Sequence, residues 1–244
     1  MSETTASIVT WNVEWKPPRS RSSDILRERI FAHQPDIICL TETYANFLPA
    51  FGHTVEADPD YGYAIKEGRR KVLLWSRESW ANVDQVGDDN MPTGRFAAAR
   101  TLTPIGEIDV VGVCIPWEAA HVSSGRRDRQ PWEDHLRFLS GLGKVLGSRT
   151  ARTVIVGDYN QKIPKLRAPQ LVFDALERAV LSRFSVATSG AIHPLNEFAI
   201  DHLAHSADIT CHSVTGLSNF DEAGRRLSDH FGLGIKLGLG TSPN

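Results

Sequence analysis

An α/β protein with helices packed on β-sheets is the fold class this sequence predicts. Three features carry that expectation. Two continuous apolar runs, Asp36 to Leu40 and Thr153 to Gly157, read as strands covered on both faces. Two stretches with apolar residues at helical spacing, one after Ser22 and one after Pro131, are interleaved with them. Shorter β-type segments fill the intervals.

Taken in order, the chain opens with a β-rich run, Ile8 to Val13, that ends near Asn12. Ser22 or Ser23 is placed to cap the helix that follows, whose stripe is Ile25, Leu26, Ile30 and Phe31, and Pro35 stops it. Glu42 falls just past the Asp36–Leu40 strand. Tyr61 to Ile65, Lys71 to Ser76, Arg95 to Leu102 and Ile108 to Cys114 read as further strands, followed by a long loop from Pro116 to Pro131. Pro131 opens a second helix with Glu133 and Asp134 in its first turn. Leu136, Leu139, Leu142 and Leu146 line one face of that helix, and Gly147 ends it. Thr153–Gly157 then delivers Asp158 and Asn160 at its end. A helix from about Gln170 to Val180 and short strands over Phe198–Leu203, Ile209–Val214 and Phe231–Leu237 complete the pattern.

With 244 residues, 41% of them hydrophobic, the chain suffices for one sizeable core. No Pro/Gly/Ser-rich linker divides it, so a single domain over 1–244 is expected, with a core of about 7–238 and a short flexible tail at 239–244. The net charge of -2 argues against a module that holds nucleic acid by a large positive field. It leaves room for an enzyme in which carboxylates offset basic residues elsewhere. The basic clusters Arg69-Arg70-Lys71, Arg126-Arg127 with Arg129, Lys162/Lys165/Arg167 and Arg225-Arg226 read singly as solvated loops. Cys39, Cys114 and Cys211 sit in apolar runs without metal-type spacing and read as reduced, buried residues. The N-terminus lacks a basic-then-apolar signal and no apolar run reaches spanning length, so a cytoplasmic protein without membrane contact is expected.

The informative pattern is polar residues at strand ends. Asn12, Glu42, Asp158 with Asn160, Asp201 and Asp229-His230 each flank an apolar β-type run. One such residue is an ordinary turn residue. Several charged groups at strand ends must lie at a rim or be paired, because burying them alone is costly. A set of carboxylates and amides offers oxygen ligands, which suit a hard cation such as Mg²⁺ or Mn²⁺ rather than zinc.

The motifs around these residues are TWNVEW (Thr10–Trp15), PDIICLTET (Pro35–Thr43), KVLLWSR (Lys71–Arg77), VIVGDYNQ (Val154–Gln161), AIDHL (Ala199–Leu203) and LSDHFGL (Leu227–Leu233). In this order they resemble the endonuclease/exonuclease/phosphatase superfamily, which includes deoxyribonuclease I and the apurinic/apyrimidinic endonucleases. The resemblance spans residues 8 to 237. It implies a layered α/β sandwich, two facing β-sheets flanked by helices, with the site at one edge. It further implies Glu42 as principal metal ligand, completed by Asn12 and Asp229 directly or through water. Asp158 and Asn160 would orient the attacking water and a phosphate oxygen. His230 would contact the phosphate or act as base, with Asp201 holding its tautomer; whether Asp158 or His230 takes the proton stays open. The activity implied is divalent-metal-dependent hydrolysis of phosphodiester bonds in DNA or RNA, with a small-molecule or lipid phosphoester as the alternative substrate. A catalytically silent scaffold is disfavoured by the joint presence of all these residues.

One position departs from the family. Cys114 in CIPW stands where relatives of the deoxyribonuclease type carry a His and the apurinic/apyrimidinic endonucleases a Tyr. Leaving-group protonation would then fall to water at the cation, or to His121 or His135. For substrate, the loop from Trp117 to Trp132 sets Arg126, Arg127 and Arg129 between two tryptophans, a combination suited to phosphates and stacked bases. Lys162, Lys165 and Arg167 add charge after the GDYN motif. Trp11 and Trp15 are expected in the core, and His202, on the strand face opposite Asp201, in a structural role.

Overall fold

The computed structural model describes residues 4–149 and 152–240. Two six-stranded mixed sheets face each other. The first contains β1 (Ala6–Asn12), β2 (Ile37–Tyr44), β3 (His53–Glu56), β4 (Arg69–Ser76), β13 (Ile209–Leu217) and β14 (Gly232–Leu239), in the order β13-β14-β1-β2-β4-β3. The second contains β5 (Trp80–Asp84), β6 (Phe96–Thr103), β7 (Gly106–Cys114), β8 (Thr153–Asp158), β9 (Ser185–Val186) and β12 (Asp201–His205), in the order β5-β6-β7-β8-β12-β9. A two-stranded ribbon, β10 (Ala191–Ile192) with β11 (Glu197–Phe198), stands apart. Helix α1 (Arg21–Ala32) joins β1 to the parallel β2, and α2 (Glu133–Gly147) joins β7 to the parallel β8. A short α3 (Gln170–Leu176) runs on into a π-helical turn, Glu177–Leu181.

Alternation along the strands explains why the central runs are apolar throughout. Ile8, Ile37, Cys39, Val72, Leu74, Val154, Val156 and Leu203 point into the layer between the sheets. Their neighbours Val9, Trp11, Ile38, Leu40, Leu73 and Trp75 pack outward on Leu26 and Ile30 of α1. On the other side, Val111, Val113 and Ile155 pack on Phe138, Leu139, Leu142 and Leu146 of α2. Burial of this apolar surface on both faces of each sheet is the main term that holds the layers together.

Several boundaries differ from the sequence expectation. Ser20, not Ser22 or Ser23, caps α1, accepting a hydrogen bond from the Ser23 amide on its side chain. Glu42 lies within β2, at φ 48°, because that strand runs on to Tyr44. Tyr61 to Ile65 is not a strand; these residues form an irregular loop whose tyrosines face the site. The edge strands β3 and β5, more polar and more exposed, were not anticipated. The last strand continues through Gly238 and Leu239, which pair with Thr210 and Ile209, so the expected tail start at 239 lies inside β14. The rest of that tail, 241–244, lies outside the described residues.

One glycine sets the register at the site. Gly157 has φ 133°, and a β-carbon there would stand 2.1 Å from the Val113 carbonyl oxygen. Only glycine allows β7 and β8 to approach that closely just before Asp158. Gly157→Ala is expected to lower the unfolding free energy by roughly 2–4 kcal/mol, measured by chemical denaturation; an unchanged midpoint would contradict this role.

Candidate active site

The inward-facing rows that build the core end in polar residues at one rim. Across the second sheet, Cys114 pairs with Asp158 and Asp158 with Asp201. Arg95 continues that row, its carbonyl accepting from the Cys114 amide at 2.9 Å. From the facing sheet Asn12, the last residue of β1, reaches across the layer, its Nδ2 donating to Asp158 Oδ2 at 3.3 Å. The same periodicity that places valines and isoleucines inside therefore gathers Asn12, Arg95, Cys114, Asp158 and Asp201.

Asp158 is held by amides. Its Oδ1 accepts from the Asn160 backbone at 2.9 Å and its Oδ2 from the Asn160 side chain at 3.1 Å. Asn160 is fixed in turn by donating to the Ile115 carbonyl at 2.8 Å. His230 Nδ1 and Asp201 Oδ2 lie 2.5 Å apart. The imidazole is placed by its own backbone: its carbonyl accepts from Trp11 Nε1 at 2.9 Å and its amide donates to Ser228 Oγ, which donates to the Asn12 carbonyl at 2.6 Å.

The electrostatics follow from burial and proximity. Burial pushes the Asp158 carboxyl above its ordinary range, the charge on His230 opposes this, and Asp201 and Glu42 add to the upward shift. For His230, burial alone would favour the neutral ring. The charge and hydrogen bond of Asp201, with Asp158 and Asp229, outweigh it and hold the imidazole protonated well above its usual range. Asp201 Oδ1 is buried without a hydrogen-bond partner among the described residues.

Glu42 lies on the other side of Asp158. Its Oε1 accepts from Lys71 Nζ at 2.6 Å, and Oε2 makes no hydrogen bond among the described residues. Asp229 is exposed at the opposite rim, beside His230. Two clefts flank the row. One, of about 350 Å³, is lined by Lys162, Glu197, Asp201, Asp229 and His230. The other, of about 330 Å³, is lined by Trp15, Glu42, Tyr61, Lys71, Arg95 and Trp117, among others.

A divalent cation fits this donor set. The uncommitted oxygen of Glu42 and the exposed carboxylate of Asp229 are hard donors suited to Mg²⁺ or Mn²⁺, whereas the Asp158–Asp201–His230 cluster, with polar atoms within 4.8 Å of one another, is taken up by its own hydrogen bonds.

Other expected site residues fall elsewhere. His135 is fully buried, its Nδ1 on the Pro116 carbonyl at 2.7 Å and its Nε2 on Gln161 at 2.8 Å; burial lowers its pKa to about 4. It braces the loop after β7 and is not a surface acid. His121 is also buried, stacked on Tyr63 at 4.3 Å and accepting from the Arg126 amide, with its pKa lowered by burial and by Arg126. Both rings are taken up by these contacts. Cys114 does lie in the row, but burial drives its thiol up to about 12. Arg126 and Arg127 are exposed and line neither cleft; Arg126 pairs with Asp128 at 3.3 Å and packs over Gly62, between two cleft tyrosines. Trp117 and Lys162 line the second and first cleft respectively. Trp11 is in the core as expected, whereas Trp15 lies in the cleft wall, stacked on Tyr61 at 5.6 Å. His202 is buried between Thr188 and the Gln161 carbonyl, a structural role. Sequence reading missed Arg95, Tyr61 and the Lys71–Glu42 pair. Arg95 was detectable, since it shares the inward parity of Ala97 and Ala99.

Two facing sheets whose inward rows end in this cluster define an α/β sandwich of the deoxyribonuclease I type. The chain belongs to the Endonuclease/Exonuclease/phosphatase family, a family of phosphoesterases, whose model matches residues 9–230. Among solved structures, an AP endonuclease from Archaeoglobus fulgidus superposes with a TM-score of 0.69 at 19% identity, over 94% of this chain and 98% of that one. The endonuclease/exonuclease/phosphatase from Beutenbergia cavernae DSM 12333 gives 0.64 at 17%, over 98% and 73%. The 3′ phosphatase NExo from Neisseria, bound to a product DNA hairpin, gives 0.64 at 16%, over 94% and 98%. Comparison with curated proteins gave no significant match.

The raised His230 pKa has a linkage consequence. Its folded-state value exceeds the ordinary 6.5, so the stabilisation is fully present below about 6.5 and is lost as pH rises through the folded-state value. In metal-free protein, NMR should find His230 still protonated at neutral pH. Asp201→Asn should move its titration down markedly; an unshifted titration would show that Asp201 does not hold the charge.

Proposed function

We propose that this protein is a divalent-metal-dependent phosphodiesterase acting on nucleic acid or its fragments. The observation that carries this reading is the cluster of the buried Asp158 and Asp201 with the half-buried His230, braced by the amides of Asn12 and Asn160. Asp158, with its upward-shifted carboxyl, accepts a proton from the attacking water, and Asn160 fixes the orientation of the carboxylate. His230, kept protonated by Asp201, offers Nε2–H to a non-bridging phosphate oxygen. Glu42 as principal ligand, with Asn12 and, through water, Asp229 completing the shell, would hold a Mg²⁺ or Mn²⁺ ion, which when bound offsets charge on the phosphoryl and leaving oxygens. Cys114, with its thiol raised to about 12, contributes no acid near neutrality.

A second reading, a small phosphoester as substrate, is favoured by one observation. The positive charge beside the site is gathered in one compact cleft rather than along an extended track, on a chain of net charge -2. No helix among the described residues is long and apolar enough to cross a membrane.

Purified protein should hydrolyse single- or double-stranded oligonucleotides, or bis(p-nitrophenyl) phosphate, with Mg²⁺ or Mn²⁺ and lose activity in chelator. Asp158→Ala should cut the rate by roughly 10³-fold or more. Metal-independent hydrolysis, or an Asp158→Ala protein as active as wild type, would overturn the proposal.

A further inference from the structure

Lys71 is a buried ammonium with a single hydrogen bond. Its side chain is 10% exposed, and Nζ donates to Glu42 Oε1 at 2.6 Å, with no second acceptor among the described residues. The rings of Trp15 and Tyr61 close over the charge, their centroids 5.3 and 5.7 Å from Nζ. An ammonium carries three N–H donors, and a buried donor left without an acceptor is costly. One carboxylate oxygen and two ring faces therefore leave donor capacity for a group that enters the cleft, which Lys71 lines.

The ladder explains how a lysine comes to stand there. In the antiparallel pair of β2 and β4, Thr41 lies opposite Val72 and Thr43 opposite Arg70, so Glu42 and Lys71 face each other at the rim. Only Oε1 of Glu42 is taken by the ammonium, and Oε2 stays free. The two oxygens of one carboxylate thus serve Lys71 and, when it is bound, the cation. Lys71 also reaches the row that ends in Asp158. Burial pushes the Cys114 thiol up to about 12, and the charge that opposes this most strongly is Lys71. Cys114 in turn pairs with Asp158 on the next strand.

We propose that Lys71 is a catalytic residue whose free N–H groups bond the leaving oxygen of the phosphodiester and offset the negative charge that builds there. The inference rests on the phosphodiesterase reading, which puts that oxygen on the Glu42 side. As the water oxygen bonds to phosphorus, the bond from phosphorus to the leaving oxygen breaks, and its electron pair stays on that oxygen. Asp158 takes the proton of the water. Lys71 remains an ammonium throughout, so the leaving oxygen draws its proton from solvent. Stabilisation of this kind is largest for an alkoxide and small for a leaving group that carries its charge well unaided.

The test is leaving-group dependence. Wild type and Lys71→Met are compared, with Mg²⁺, on two diesters. The p-nitrophenyl ester of thymidine monophosphate releases a stable phenolate, and dithymidine monophosphate releases a nucleoside alkoxide. Lys71→Met should lose roughly 10²-fold or more in kcat on the dinucleotide and less than about tenfold on the nitrophenyl ester. Equal losses would mean that Lys71 only neutralises Glu42, and would overturn the assignment. Circular dichroism checks folding. Should Lys71→Met not fold, Lys71→Arg keeps the charge but moves the donors, and its loss should again be larger on the dinucleotide; equal losses contradict the role. Binding gives a readout without turnover. In isotope-labelled wild type with Mg²⁺, inorganic phosphate should shift the NMR signal of the Lys71 ammonium, and a signal unmoved at saturating phosphate would also overturn the proposal. A shifted signal in a protein that hydrolyses neither ester would leave the contact standing and remove the phosphodiesterase reading. Hydrolysis of both esters with equal losses would do the reverse.

Discussion

Asp158 and Asp201 face each other across β8 and β12, both buried, and the rest of the site answers that juxtaposition. Two carboxylates at this distance in a poorly solvated layer repel and are individually destabilised. The chain meets the cost with amide donors on Asp158, from Asn12 and Asn160, and with a protonated imidazole on Asp201. The result is two chemically different acids on neighbouring strands. Asp158 is pushed toward its neutral form and so can take up a proton, whereas Asp201 is hydrogen-bonded to the protonated ring of His230.

Each of those donors depends on the fold at long range. Asn12 comes from the facing sheet, His230 from the turn before β14, and Asn160 from the loop braced by Ile115. Closing the sandwich and assembling the cluster are thus one event. Gly157 permits the close β7–β8 approach, and Ser228 ties the His230 turn to the end of β1. Around this centre the charge is split, with cations gathered on the Glu42 side and carboxylates on the Asp229 side. A molecule with near-balanced net charge can thereby present a strong local field to an anionic substrate.

The fold was legible because strand alternation and helix stripes are local signals. The apolar runs at Asp36–Leu40 and Thr153–Gly157 became central strands covered on both faces. Edge strands β3 and β5 escaped because their exposed faces carry polar residues with no alternation to follow. At the site, Asn12, Asp158, Asn160, Asp201 and His230 stood out as polar residues ending apolar runs, and the structure brings them together. What the sequence hid is what depends on packing. His121 and His135 read as loop and helix-surface residues, but the loop after β7 folds back over them and buries both. The Arg126–Arg127 pair drew attention by density of charge, whereas the arginine that faces the site, Arg95, sits alone beside an alanine-rich run.

In the proposed mechanism the labour is divided: Asp158, Asp201 and His230 would handle the proton and the phosphate, and Glu42 on the opposite side would secure the cation. Titration of Mn²⁺ into wild type, Glu42→Gln and Asp201→Asn measures that division directly. Glu42→Gln should weaken Mn²⁺ binding by roughly tenfold or more, with Asp201→Asn within about threefold of wild type. A Glu42→Gln protein that binds Mn²⁺ normally, beside an Asp201→Asn protein that has lost it, would contradict the account.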